Sequence, residues 1–480
     1  MNASILNLSR QLIDALNLHS IDYCHWKNNH NLMKSLSGED DLDLLINKNQ
    51  FSDFIKIICS LGFKEAYNEK ITFPFIYHFY GLDTETGILL HLHVHIKMIT
   101  GESHTKNYHL PLEKMILENT TSHSSGCRIP QPEVELIIFI LRYYIKISCL
   151  PGAILLWKRM KAFSSEFLTL YQNVDLNRVD ILLQSYFQYI SVEFFRKMLD
   201  EYTQRKVLRK RLFLGLALRR KLSPLRRMGV ISSFFARYYQ ILYRALNKLV
   251  FREKKFLTTH GAIIAITGLD ATGKSTITSE LKRWLGTYFN THFIHVGRPK
   301  VRLETVLFRA VLWLKKTKGS KPESFITKLQ KPGVIFAIRY AVLAYERFQL
   351  LKKANRLMAR GYIVICDRYP SVNFGKMDSP RIGERNGNAF INFMGRLEDR
   401  LYRTIPLPDV IYNLKIPVDL AIERNQARIK DDKETDDQLR LRYSENADLR
   451  YNAFNFEVID TSRKLPVVLR ELKEKVWEKL

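Results

Sequence analysis

Hydrophobic and polar positions follow different rhythms along this chain. At 41–46 (DLDLLI) and 89–96 (LLHLHVHI) apolar residues alternate with polar ones, which predicts strands with one polar face. At 133–146 (EVELIIFILRYYIK), 204–221 and 231–250 the apolar residues recur every three to four positions, which predicts helices. In the last of these Ile231, Phe234, Phe235, Tyr238, Ile241, Leu242, Ala245 and Leu249 carry the spacing. The runs 262–267 (AIIAIT) and 362–366 (YIVIC) are apolar throughout, as parallel strands covered on both faces are, and 409–416 (DVIYNLKI) predicts a further strand. A helical pattern follows the first run (ITSELKRWL). Another precedes the second and stops at Arg360-Gly361.

Composition narrows the class. With 46% hydrophobic and 12% aromatic residues in 480, the chain builds packed cores and is not disordered. Five cysteines without Cys-x-x-Cys spacing give neither a disulfide framework nor a zinc ribbon. No stretch approaches a membrane span, and 147–157 is short and carries Pro151 and Gly152. The N-terminus lacks the basic-then-apolar order of a signal peptide, so a reducing cytoplasm is expected. The net charge of +27 points to polyanionic partners, and its location sharpens this. Residues 205–255 hold sixteen Lys/Arg against the single acid Glu253, a net +15, interleaved with aromatics. Three readings of this stretch stay open: a solvated helical linker, a basic amphipathic helix on an anionic membrane surface, and a nucleic-acid arm.

The run 262–267 leads directly into Gly268-Leu-Asp270-Ala-Thr-Gly273-Lys274-Ser275-Thr276 and then a helix: strand, GxxxxGK[ST], helix. Glycines let backbone N–H groups turn inward around phosphate oxygens, and the helix N-terminus adds its positive end. Lys274 places a charge on the β/γ-phosphates, and the Ser275 hydroxyl can ligate Mg²⁺. Asp367-Arg368-Tyr369 ends the strand at 362–366, where strand C-termini line the ligand crevice of a doubly wound sheet. The carboxylate suits Mg²⁺ or its water, the guanidinium a phosphoryl oxygen. After 409–416 comes RNQARIKDDKETDDQLRLR, a polar stretch that predicts a mobile lid, with Arg424 and Arg428 on one helix face.

Together, GLDATGKST, a helix carrying Glu346-Arg347, the DRY at 367–369 and VIDTS at 458–462 resemble the thymidylate kinase family of nucleoside monophosphate kinases over about 260–480. The resemblance implies a P-loop parallel sheet with helices on both faces and ATP- and Mg²⁺-dependent phosphoryl transfer. It assigns Lys274, Asp367, Arg368 and the lid arginines Arg424 and Arg428 to catalysis. Gly268, Gly273, Lys274, Ser275, Thr276 and Asp460 would bind ATP, and Ser275 and Asp367 the Mg²⁺. Arg347, Asp270, Arg298 and Tyr369 would hold the acceptor. The segment after the DRY, PSVNFGKMDSPRI, departs from the family's thymine-recognising sequence. The acceptor is therefore left open among a nucleoside monophosphate, a sugar and a glycolipid head group. Similar kinase-like chains are encoded among bacterial surface-polysaccharide genes.

The N-terminal third differs. Alternation places Asp41 and Asp43 on one strand face, where two carboxylates repel unless a cation lies between them. With the preceding turn this resembles the DNA polymerase beta superfamily of nucleotidyltransferases and its Asp-x-Asp strand, which implies Mg²⁺ on Asp41 and Asp43. The superfamily's third carboxylate would fall in 89–96, which offers His91, His93 and His95 instead. Active nucleotidyl transfer, a degenerate binding module and a different metal chemistry using His93 and His95 all stay open. The expected organisation is α/β and α+β multidomain: a nucleotidyltransferase-like domain (1–130), a helical extension (131–203), a basic helical linker (204–257) and a P-loop kinase-like domain (258–480). The expected cofactors are ATP and Mg²⁺. The partners are a nucleotide substrate, a phosphorylated small-molecule or glycan acceptor, an anionic membrane surface met by 205–255 at the inner face of the membrane, and a second copy of the chain as a homodimer. A non-enzymatic nucleotide switch, in which ATP binding by the P-loop drives association, and a nucleotidyltransferase regulated by its P-loop domain are the remaining alternatives.

Overall fold

The computed structural model describes residues 4–102, 104–149, 152–154, 160–204, 208–297, 299, 305–306, 333–383, 388–427 and 435–480. It divides into two compact units, 1–253 and 254–480.

In the first unit, strands β1 (Tyr23–His25), β2 (Leu42–Ile46), β3 (Lys64–Tyr67), β4 (Ile76–Asp83) and β5 (Ile88–His95) form a sheet in the order β1-β2-β5-β4-β3. Only β2 and β5 run parallel, in a register that sets Asp43 opposite His93. Helices α1 (Asn7–Leu18) and α2 (Phe51–Ser60) bring Leu12, Leu16, Phe54 and Ile58 onto Leu44, Leu90 and Leu92. A second core forms around α3 (Pro132–Ile147), which starts with proline at its first position and is buried along nearly all its length. The alternation at 89–96 and the period of α3 are thus both realised.

The basic stretch lies in the first unit as far as Glu253, and the boundary between the units falls just after it. It folds as α4 (Leu208–Lys221) and α5 (Val230–Leu246), with a π-helical turn at Asn247–Phe251. Two of its arginines, Arg219 and Arg237, pair with the fully buried Glu102.

In the second unit, β6 (Ala262–Gly268), β7 (Thr291–His295), β8 (Ile363–Asp367), β9 (Val410–Lys415) and β10 (Asn455–Asp460) make a wholly parallel sheet in the order β7-β8-β6-β9-β10. The P-loop strand β6 is central, and the chain leaves it on both sides. That is the topological switch point at which open parallel sheets bind ligands. Ile263, Val364, Cys366 and Ile411 are fully buried beneath helix α7 (Val334–Met358). Helix α6 (Lys274–Tyr288) follows the P-loop. The lid stretch contributes α8 (Val418–Gln426) and α9 (Asp436–Glu445), and α10 (Leu465–Lys479) closes the unit. A Thr435–Gln438 capping box starts α9, which explains why so polar a segment is helical. Among the described residues no helix is long and apolar enough to cross a membrane.

Candidate functional site

The P-loop joins β6 to α6. Gly268 (φ 140°) must be glycine, because a Cβ there would lie 2.6 Å from the Leu414 carbonyl oxygen. Gly273 (φ 90°) sets the left-handed residue that turns the chain into α6. Lys274 is buried and its Nζ donates to the Leu269 carbonyl at 2.5 Å, inside the loop it would share with phosphate. Burial and the nearby Arg368 push its ammonium down to about 8. Ser275 and Thr276 are exposed in the first turn of α6.

Two arginines converge on the loop's Asp270, and a third is joined to them through Asp378. Arg368 holds a left-handed backbone (φ 72°), and its Nη2 donates to Asp270 Oδ1 at 3.4 Å. From α9, Arg442 pairs with the other Asp270 oxygen, while the Tyr443 hydroxyl donates to the Asp270 carbonyl at 2.8 Å. Burial alone would raise the Asp270 carboxyl, but Lys274, Arg368 and Arg442 hold it below its usual range. On α7, the buried Arg347 donates to the Tyr402 hydroxyl (2.7 Å), the Val296 carbonyl (3.3 Å) and Asp378 Oδ1 (2.5 Å). Asp378 also accepts from Arg368 at 3.3 Å.

Asp367 ends β8. Its Oδ2 meets His295 Nδ1 at 2.6 Å, and its buried Oδ1 has no hydrogen-bond partner among the described residues. An orphaned carboxylate oxygen at a strand end, with the Ser275 hydroxyl on the loop, fits Mg²⁺: both are hard oxygen donors. The ion would supply charge to phosphate oxygens.

Not every expected site residue lies as the sequence suggested. Tyr369 is buried in the core, and its hydroxyl donates to the Pro406 carbonyl, so it is a structural residue and not an acceptor contact. Arg424 donates to the Thr461 carbonyl at 2.8 Å and caps that turn, leaving Arg442 as the lid arginine at the P-loop acid. Asp460 is exposed and accepts from the Ser462 amide at 2.9 Å. Its neighbour Thr461 donates to the Thr272 carbonyl at 2.9 Å and ties this turn to the loop. Arg298 and Arg428 lie outside the described residues. Sequence reasoning missed Asp378 and Arg442. The available signal for Arg442 was a cation at the inner end of the lid's second helix. For Asp378 it was a lone acid in the segment that departs from the thymidylate kinases.

The first unit holds a second polar cluster. Asp43, His93 and His95 bring one potential ligand atom each within 4.8 Å of one another, all buried. Lys27 Nζ lies 2.7 Å from Asp43 Oδ1 and His93 Nδ1 lies 2.6 Å from the same oxygen. Both ring nitrogens of His95 lack a partner among the described residues. Asp41 does not join this set; it is bonded to His91 Nδ1 at 2.6 Å, and His91 Nε2 meets His78 at 3.0 Å. Lys106 is pushed down to about 7 by burial and by Lys27, and burial lowers Arg142. One carboxylate and two imidazoles do not fit Mg²⁺, which takes oxygen ligands, so the expected Asp41–Asp43 magnesium pair is not assembled.

The central P-loop strand, the loop's inward lysine and the arginine-bearing helices around it define a P-loop unit of the parallel α/β class. No protein-family model matches the chain. The chain belongs to the family of the uncharacterized ATP-binding protein YghR of Escherichia coli (strain K12), to which it is 31% identical over 173 residues, 34% of this chain and 68% of that protein. The uncharacterized ATP-binding protein YghS of the same strain is 28% identical over 174 residues, covering 34% of this chain and 72% of its own. Among solved structures, deoxyadenosine kinase from M. mycoides aligns at 16% identity over 45% of this chain and 98% of its own, with a TM-score of 0.26.

Proposed function

We propose that the second unit is an ATP- and Mg²⁺-dependent phosphotransferase resembling thymidylate kinase, which moves the γ-phosphoryl group of ATP to a nucleoside monophosphate or similar phosphorylated acceptor. The observation that carries this reading is Arg347. A guanidinium this deeply buried, sharing Asp378 with a second arginine that reaches the P-loop acid Asp270, suits an acceptor phosphate. Lys274 and the amides of α6 would cradle the donor phosphates, and Arg442 would add charge from the lid side. The test is ADP release from Mg-ATP by the full chain, offered a panel of nucleoside monophosphates, sugar phosphates and sugars. Turnover with a phosphorylated acceptor that disappears in Lys274→Ala supports the reading. Turnover only with unphosphorylated sugars, or none with any acceptor, sinks it.

For the first unit we propose a degenerate nucleotidyltransferase-like module whose cation site has become a transition-metal site on Asp43, His93 and His95. The unpartnered His95 ring, beside a single carboxylate, favours this over two-magnesium nucleotidyl transfer.

A further inference from the structure

Helix α5 is mounted inside out. An amphipathic helix of a folded unit normally turns its apolar stripe to the core. Here the polar stripe does so. Ser233 and Arg237 are buried, with the Ser233 hydroxyl donating to Glu102 Oε2 at 2.8 Å and Arg237 paired with the same carboxylate. One turn on, Gln240 Nε2 donates to the Lys70 carbonyl at 2.8 Å. Anchoring those residues fixes the helix's rotation and sends the opposite stripe outward. Ile231 is 74% exposed, Phe235 66%, Leu242 59% and, in the π-helical turn, Leu249 73%, with Phe234 and Tyr238 beside them. Spaced at four, seven and seven residues, the first four lie along a single line of the helix. Leaving so many large apolar groups in water is costly, and contiguous apolar surface of this kind marks an interaction site.

The charge around the stripe selects its occupant. Exposed cations precede and follow it in the chain: Arg220 and Lys221 at the end of α4, Lys248 and Arg252 at the end of the stripe. From 205 to 252 there is no acid, and Glu253 accepts from the Tyr243 hydroxyl at 2.8 Å. Aromatic and aliphatic side chains on one line, in a stretch rich in Arg and Lys that holds no acid from 205 to 252, match the interface of an anionic lipid bilayer. There the apolar groups enter the acyl boundary and the cations stay with the headgroups.

We propose that α5 and the turn after it are a membrane-docking helix, which lies in the plane of an anionic lipid surface and holds the first unit there. This differs from attraction by the basic stretch as a whole. Arg219 and Arg237 are spent on Glu102, and the exposed apolar line carries the specificity for an interface. The docking does not depend on the phosphotransfer proposed for the second unit.

The experiment is co-sedimentation of the full chain with vesicles of phosphatidylcholine alone or mixed with phosphatidylglycerol. The comparison is the double variant Phe235→Ser, Leu242→Ser, whose side chains are exposed and whose fold is verified by thermal melting. The parent chain is expected to bind the mixed vesicles and not the neutral ones. The variant should lose about tenfold or more in partitioning. Single substitution of Ile231→Ser, at the other end of the line, should give a partial loss. Failure of the parent chain to bind mixed vesicles would overturn the proposal, as would equal binding by the double variant. So would a dimer in light scattering that the variant dissociates while neither form binds vesicles, since the stripe would then serve a second copy of the chain.

Discussion

The carboxylate of Asp378 lies between two arginines, 2.5 Å from Arg347 and 3.3 Å from Arg368. It neutralises the two cations proposed to meet an acceptor phosphate, so on that reading an incoming phosphate competes with an anion the protein already carries. Replacing Asp378 with Asn leaves a buried guanidinium with only the neutral partners Tyr402, Val296 and Gly297. Breaking a buried ion pair from one side costs roughly 3–5 kcal/mol. Asp378→Asn should therefore melt well below the parent, and added phosphate should recover much of the loss in the variant while barely moving the parent. Thermal melts with and without phosphate decide it; a variant as stable as the parent would refute the argument.

Lys274 gives a prediction in pH. Its folded value of about 8 is depressed from 10.5 by burial and Arg368. Between those two values the unfolded chain holds a proton that the folded chain has released. Stability therefore rises with pH across that window, and below it the penalty for the buried charge is fully present. Lys274→Met should stabilise the ligand-free chain at neutral pH, and its advantage should shrink as pH climbs from about 8 towards 10.5. Urea midpoints of both proteins across that range test this, and an advantage that stays constant or grows contradicts it.

Much of the second site was legible because its parts are local. The residues from 268 to 276 form the loop almost unaided, and the apolar runs that became β6 and β8 announce themselves. Asp378 and Arg442 were not legible, since their roles come from closure over distance: Arg442 meets an acid 172 positions away. Tyr369 was misjudged because being next to Arg368 in sequence does not set which way its ring points. In the first unit, alternation revealed the faces of β2 and β5. The parallel register that gives Asp41 to His91 and Asp43 to His93 needed the fold. The apolar stripe of α5 was plain in the sequence; that it faces outward depends on Glu102, far upstream.

Glu102 fixes the seat of α4 and α5. It is fully buried, bears the ion pairs of Arg219 and Arg237, and accepts from Ser233. Glu102→Gln keeps the shape and removes the charge, leaving two arginines facing a neutral amide. The expected loss is about 3–5 kcal/mol for the first unit. Chemical denaturation should show it as an earlier transition of that unit, with α5 losing protection in hydrogen exchange before α3. Unchanged stability would mean that the charge of Glu102 is not what holds the helix.

The cluster at Asp43 predicts opposite outcomes for two neighbouring substitutions. In the ion-free chain Lys27, 2.7 Å from the carboxylate, is the cation that satisfies Asp43, so a metal ion must displace it. Removing a ligand should weaken binding, whereas removing the competitor should strengthen it. With Co²⁺ as the probe, visible absorption bands and equilibrium dialysis report occupancy without any reaction. His95→Gln is expected to lower the affinity by about 10–100-fold, a loss typical even of residues that only support metal ligands, and Lys27→Met to raise it. Mg²⁺ should compete poorly at either protein, because two of the three donors are imidazoles. A parent chain that takes up no Co²⁺, or a Lys27→Met protein that binds it no better, would show that the cluster is only a buried polar network closed by its own lysine.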